Sequence, residues 1–302
     1  MNLADAERIE RILADFDWQK TTSEKQADLI VVVACSVRQA PIDRIYTSAA
    51  RWHKRRQQGK LKTVLTGCVL DFDRRKMARS FDAILPITDI EKLNVILSDS
   101  EGSRGSSIRS FGLRPQDDNK NNYLCLPPLY QSKFSALVPI SNGCDNFCSY
   151  CAVPYVRGRE VSRAVEGIIK ECQKLIKSGY KEIILVGQNV NSYHSGKYDF
   201  PKLLKAVDSI PGDFWLRFIT SHPKDLSDGL IKVMAHGNHI TPYLHLPVQS
   251  GDDQILKKMN RRYTVKHYLG LLRKVRRIMP CVAITTDLIV GFPGETKKQF
   301  AN

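Results

Sequence analysis

Apolar residues over the first 98 positions follow two different periods. Near the amino end Ile9, Ile12, Leu13 and Phe16 recur at i, i+3, i+4 and i+7, which is the spacing of one helix face. Short β-branched runs follow: LIVVVA (29–34), KTVLTG (62–67) and FDAILPI (81–87). Runs this short and continuous predict buried strands. Between and after them the pattern predicts a basic helix over roughly 40–58 and a second over DIEKLNVIL (89–97). Strands alternating with helices predict a parallel sheet.

The alternation stops at SDSEGSRGSSIRSFGLRPQDDNKNN, a stretch rich in Ser, Gly, Asp and Asn. Residues 99–133 therefore read as an interdomain linker. A second series starts at SALVPI (135–140) and continues through EIILVG (182–187), FWLRFI (214–219), PYLHLP (242–247) and AITTDLIVGF (283–292). Helices are predicted near 162–178, 224–236 and 264–278. The expected fold class is α/β: an N-terminal parallel-sheet α/β domain (1–98), then a partial (β/α) barrel (134–302). Both ends read as cut, because the chain begins inside a helix and stops as another starts.

Composition narrows the function. No run approaches the roughly 18 apolar residues of a membrane span. The opening MNLADAERIERILADF lacks the basic start and apolar stretch of a secretion signal, so a cytoplasmic protein is expected. In that compartment thiols stay reduced, and the 8 cysteines point to metal or redox chemistry if they cluster. The net charge of +15 suits a polyanionic partner. Much of it sits in RWHKRRQQGKLK (51–62) and KKMNRRYTVKHYLGLLRKVRR (257–277), which read either as a nucleic-acid surface or as two solvated helix faces.

The cysteines do cluster. VPISNGCDNFCSYCAVPYVRGREVSR (138–163) places Cys144, Cys148 and Cys151 in a C-x3-C-x2-C array just after a predicted strand. Loops following the strands of a parallel α/β fold build its active face. Spacing alone leaves two readings. A zinc site needs four ligands, with His194, His222 or His245 as the fourth. A cubane iron–sulfur cluster held by three thiolates instead keeps one iron open for a substrate or cofactor. Cys35 and Cys68 each end a predicted strand, and on spacing they are either ligands or small buried residues. Cys172 and Cys281 read as packing residues. No Ser-His-Asp triad, Walker loop or paired-carboxylate signature stands out.

The array, together with GCDNFCSYCAVPYVRGREVSR, EIILVGQNVNSY, RFITSHP, YLHLPVQSGDDQILKKMNR and TTDLIVGFPGET in that order, resembles the radical S-adenosylmethionine (radical SAM) methylthiotransferases. MNLADAERIE, ACSVRQ and LTGCV extend the resemblance over residues 1–98. It implies that Cys144, Cys148 and Cys151 hold a [4Fe-4S] cluster whose open iron binds S-adenosylmethionine, which is cleaved to a 5′-deoxyadenosyl radical. It implies that Cys35 and Cys68 are two of three thiolates of an auxiliary [4Fe-4S] cluster connected with the sulfur. The third lies just before the segment matching Met1-Asn2, so this chain is expected to assemble that cluster poorly or not at all; the alternative is that Cys125 in the linker substitutes.

Further roles follow from the same resemblance. Tyr150 would lie beside the adenine of the cofactor. Gln188 and Asn189 would bind its methionine portion, and Gln249, Ser250 and Gly291 are weaker cofactor candidates. Arg157, Arg159 and Arg163 would hold tRNA or the cofactor. GQNVNSY (187–193) resembles the branch that places a methylthio group on C2 of isopentenyl-adenosine beside the anticodon of tRNA. The alternatives are another tRNA adenosine, a ribosomal protein, or a non-enzymatic metal-bearing nucleic-acid binder. The implied partners are tRNA, an electron donor such as flavodoxin or ferredoxin and a sulfur source. A monomer is expected, and the family's C-terminal RNA-binding β-domain would lie beyond Asn302.

Overall fold

The computed structural model describes residues 1–35, 39–93, 97 and 122–302. The chain divides into two compact units: residues 1–131 with 152–158, and residues 132–151 with 159–302.

In the first unit β1 (Leu29–Cys35), β2 (Lys62–Cys68) and β3 (Ala83–Ile84) form a parallel sheet in the order β1-β2-β3. The period-2 pleat sends alternate side chains to opposite faces. Leu29, Val31 and Val33 pack with Ile9 and Ile12 of the helix Asn2–Asp15 on one face. Ile30, Val32 and Ala34 pack with Ile42, Ile45 and Trp52 of the helix Gln39–Gln57 on the other. Both faces are covered, so β1 reads as an unbroken apolar run. β3 is shorter than its predicted segment, and a 3₁₀ helix, Ile87–Lys92, begins where a longer α-helix was expected.

Two expectations change here. Phe16 is about half exposed and caps the first helix. The buried face instead carries Ala4, Asp5, Glu7 and Arg8 beside Ile9 and Ile12. The predicted linker falls partly outside the described residues, from 99 to 121. Its described part is not a free linker, because Tyr123 and Leu124 in the helix Asn122–Cys125 are fully buried in the first unit's core.

In the second unit β4 (Ser135–Pro139) leads into an antiparallel ribbon of β5 (Ser141–Asn142) and β6 (Val161–Ser162). After β7 (Glu182–Val186) comes a second ribbon, β8 (His194–Ser195) with β9 (Tyr198–Asp199). β10 (Trp215–Phe218) completes a parallel sheet in the order β10-β7-β4. β11 (Tyr243–His245) pairs in parallel with β12 (Ala283–Thr285), and a single parallel bridge, Leu216–Ile240, extends the β10 edge. This is the open arrangement of a partial barrel. The helices Val165–Lys177, Asp228–His236 and Val265–Ile278 occupy the predicted places. The helix Phe200–Asp208 was missed, although Asp199 caps it by accepting from the Lys202 N–H at 2.9 Å and Pro201 sits in its first turn.

Candidate active site

The three-cysteine loop leaves the end of β4. Gly143, immediately before Cys144, has φ +82°, which a side chain would strain. Cys144 and Cys148 are buried and Cys151 is half-buried. The Cys151 N–H donates to the Cys148 carbonyl at 2.9 Å. Residues 258–261 clamp this loop. The Ser149 N–H donates to the Met259 carbonyl at 3.1 Å, and the Ser149 hydroxyl to that of Lys258 at 2.9 Å. Asn260 Nδ2 donates to the Phe147 carbonyl at 2.8 Å. Phe147 and Asn260 are both non-glycine residues with positive φ (47° and 57°), conformations that need such external support.

Donors also reach two of the sulfurs. Asn146 Nδ2 lies 3.4 Å from Cys144 Sγ, and Arg261 Nη1 lies 3.5 Å from Cys148 Sγ. Burial pushes the Cys144 thiol up, opposed by hydrogen bonds from the backbone and side chain of Asn146. The sequence pattern assigns Asn260 and Arg261 no role of their own. Their signal was the NR pair closing YLHLPVQSGDDQILKKMNR.

Beside the loop lies a cavity of about 450 Å³, lined mainly by polar side chains, among them Asp145, Asn146, Glu160, Asn189, His222 and Lys224. Asn189 follows β7, before the 3₁₀ turn Val190–Ser192, and its Nδ2 donates to Asp225 at 2.7 Å. Glu160 accepts from the Ser192 hydroxyl at 2.6 Å, and burial raises its carboxyl. Around this face several buried polar atoms have no partner among the described residues: Ser141 Oγ, Gln188 Oε1, Asn189 Oδ1, both side-chain polar atoms of Asn191, and Ser221 Oγ. Each such group costs about 1–3 kcal/mol unless something satisfies it. They follow the ends of β4, β7 and β10, so the unit presents polar groups suited to a polar ligand at that end.

His222 is neutral in this setting. Burial, helped by the positive charges of Arg261 and Lys224, holds it down at about 3, and its Nδ1 accepts from the Lys224 N–H at 3.1 Å. Between pH 6.5 and 3 the unfolded chain binds the extra proton, so stability rises with pH across that window. His222 therefore contributes fully above about pH 6.5 and its contribution falls away toward pH 3. The expected total over the whole window is on the order of 5 kcal/mol. Urea midpoints measured from pH 7.5 to 4 should fall less steeply in His222→Gln than in the wild-type chain.

Other predicted residues lie elsewhere. Tyr150 sits at the loop between Cys148 and Cys151 and is partly exposed. Gln249 has φ +71° and its N–H donates to the Asp287 carbonyl at 2.9 Å, while Ser250 accepts from the Asp252 N–H at 3.2 Å. Gly291 is exposed, with no neighbour where a Cβ would stand. None of these three lines the cavity. Arg157 and Arg163 are corrections: both are buried and bound internally rather than presented to a phosphate. Arg163 donates to the Pro139 carbonyl at 2.8 Å and pairs with Glu171 at 2.6 Å. Only Arg159 of the three is exposed, paired with Asp145 at 3.4 Å. Cys281 is exposed rather than packed, whereas Cys172 is buried, with its thiol pushed up to about 12 by burial.

Residues 138–302 match the Radical SAM superfamily, and residues 1–86 match Uncharacterized protein family UPF0004. The chain is 39% identical over 304 residues to tRNA-2-methylthio-N(6)-dimethylallyladenosine synthase of Endomicrobium trichonymphae, covering 99% of this chain and 69% of that one. The synthase of Desulfitobacterium hafniense is 40% identical, at 99% and 68% coverage. This chain belongs to the radical SAM methylthiotransferase family.

Solved structures agree on the fold. The cobalamin-dependent S-adenosylmethionine radical enzyme OxsB with aqua-cobalamin bound superposes with TM-score 0.64 at 11% identity, covering 95% of this chain and 46% of that one. The radical S-adenosylmethionine methyltransferase TsrM of Kitasatospora setae, with cobalamin and a [4Fe-4S] cluster bound, gives 0.63 at 13% identity, covering 98% and 68%.

Three cysteines on one loop give this methylthiotransferase chain a donor set that fits a cubane with one iron left open. Among the described residues no three Cys, His, Asp or Glu side chains converge on one metal position. A cubane places each thiolate on its own iron and so needs them further apart. In the first unit Cys35 and Cys68 are direct register partners at the ends of β1 and β2, on one face of the sheet. Gly67, inside β2 just before Cys68, allows the close approach of the two strands: it has φ +92°, and a Cβ there would lie 2.6 Å from the Ala34 carbonyl. Cys68 Sγ accepts from Arg157 Nε at 2.9 Å. Cys125 is exposed, and among the described residues no third ligand group completes this pair.

Proposed function

We propose that the chain acts on tRNA, placing a methylthio group on C2 of isopentenyl-adenosine beside the anticodon. The observation that carries this is the three-cysteine loop with its adjoining polar cavity, in a chain 39–40% identical over nearly all its length to synthases named for that product. The chain spans about two thirds of the length of those relatives. Its expected setting is the cytoplasm. No helix among the described residues is long and apolar enough to cross a membrane.

Cys144, Cys148 and Cys151 hold a [4Fe-4S] cluster, and the cavity takes S-adenosylmethionine. When bound, the pair supplies a carbon radical that removes hydrogen from an unactivated C–H bond. The chain's own groups bind and orient. Glu160 and Asp145 offer negative charge to an ammonium or sulfonium, while Lys224 and Arg262 offer positive charge to a carboxylate. Asn189 keeps its buried Oδ1 for the ligand because its Nδ2 is already held by Asp225. Cys35 and Cys68 serve the sulfur. A flavodoxin or ferredoxin supplies electrons, and Arg159 with the exposed Arg273, Arg276 and Arg277 supplies the electrostatic part of tRNA binding.

Glu160→Gln should weaken S-adenosylmethionine binding about tenfold to a hundredfold, read by equilibrium dialysis with the reconstituted protein. The function itself is tested by incubating anaerobically reconstituted protein with isopentenylated tRNA, S-adenosylmethionine, sulfide and reductant. Nucleoside mass spectrometry should find the 2-methylthio product. Cofactor cleavage with no such nucleoside would move the reading to another adenosine or a ribosomal protein. RNA binding without any cleavage would leave only a binding module.

A further inference from the structure

Arg261 is a buried cation, with 8% of its surface exposed. Its Nε donates to Tyr263 Oη at 2.8 Å, its Nη2 to the Pro247 carbonyl at 3.0 Å and its Nη1 to Cys148 Sγ at 3.5 Å. The guanidinium also lies 5.2 Å from the Tyr263 ring centroid. All these partners are formally neutral unless the sulfur is ionised. No carboxylate among the described residues pairs with it. Arg157 shows the contrast. It too donates to a cysteine sulfur, that of Cys68, but Asp5 balances its charge at 2.6 Å. A buried charge without a counter-charge is expensive. The negative charge that completes the Arg261 environment is therefore sought at Cys148.

We propose that Arg261 is a positioning residue for the three-cysteine cluster: it balances the cluster's negative charge through the Cys148 sulfur and raises its reduction potential. This rests on the radical SAM reading above. Reduction adds one electron from a low-potential flavin or iron–sulfur donor, with no bond made or broken. The added negative charge is stabilised by a fixed cation and by hydrogen bonds to the ligand sulfur, both of which set cluster potentials. Asn260 holds the loop through the Asn146 and Phe147 carbonyls, and the donations of Arg261 to Tyr263 and Pro247 hold its guanidinium, so the sulfur contact is held at fixed geometry by the fold itself.

The test is a potentiometric titration of the reconstituted chain, followed by electron paramagnetic resonance, in the wild-type protein and in Arg261→Gln. Glutamine keeps a donor but removes the charge. At a fixed potential the ratio of reduced to oxidised cluster should fall about tenfold, equivalent to about 59 mV for a one-electron couple. Equal midpoints in two folded, cluster-bearing proteins overturn the inference and leave the radical reading standing. A wild-type chain that takes up no iron–sulfur cluster overturns both. Should Arg261→Gln fail to fold, wild-type protein labelled with ¹⁵N-arginine decides. A weak ¹⁵N coupling at the reduced cluster, retained in Arg262→Lys, supports the contact, and its absence overturns it.

Discussion

Replacing Cys144, Cys148 and Cys151 together by alanine removes about four irons per chain and, with them, all cleavage of S-adenosylmethionine. The reason is stoichiometric: each thiolate holds one iron of a cubane, and with none left nothing fixes the cluster to the loop. The fold should survive. The loop backbone is held by Ser149, Asn260 and the β5–β6 pairing, and none of these passes through a sulfur. Far-ultraviolet circular dichroism and the thermal midpoint of the cluster-free proteins should therefore agree within a few degrees, while iron, sulfide and the reduced-cluster resonance disappear. If Cys35 and Cys68 carry a second cluster with a further ligand, the starting content is about eight irons and about four remain in the variant. Unchanged iron, or zinc in place of iron in the wild-type chain, would sink the assignment of these three cysteines.

The parts legible in the sequence share a physical cause. β1 and β2 were readable because both sheet faces are covered, which makes their residues continuously apolar. The grouping of Cys144, Cys148 and Cys151 was readable because it is local in sequence, and that of Cys35 and Cys68 because parallel strand ends converge, as their register shows. What could not be read rests on distant partners. Arg8 is buried because its guanidinium meets the carbonyls of Ala4 and Leu124, the latter 116 positions away. Arg157 and Arg163 look in sequence like part of a basic surface loop, and only tertiary pairing with Asp5 and Glu171 takes them inside. Asn260 and Arg261 act on the cysteine loop from more than a hundred positions downstream. Local periodicity carries no trace of such contacts.

Asp5→Ala should destabilise the first unit by about 3–5 kcal/mol, the cost of leaving one member of a buried ion pair uncompensated. The Asp5 and Arg157 side chains are 0% and 1% exposed and meet at 2.6 Å, so water does not screen the charge left behind. A midpoint fall of about 6–20 °C in the unit's thermal transition is expected. Arg157→Met should cost a similar amount, because it strands Asp5 and also removes the donor to Cys68. The double variant Asp5→Leu, Arg157→Met removes both charges and should recover much of the loss, since apolar replacement of a whole buried pair is often neutral or stabilising. The cycle also separates the two roles offered for Arg157. A phosphate-contacting arginine would leave the midpoint unchanged in Arg157→Met and lower the salt dependence of tRNA binding. The buried pair predicts the opposite: a large midpoint shift, with the salt dependence unchanged in whatever protein remains folded.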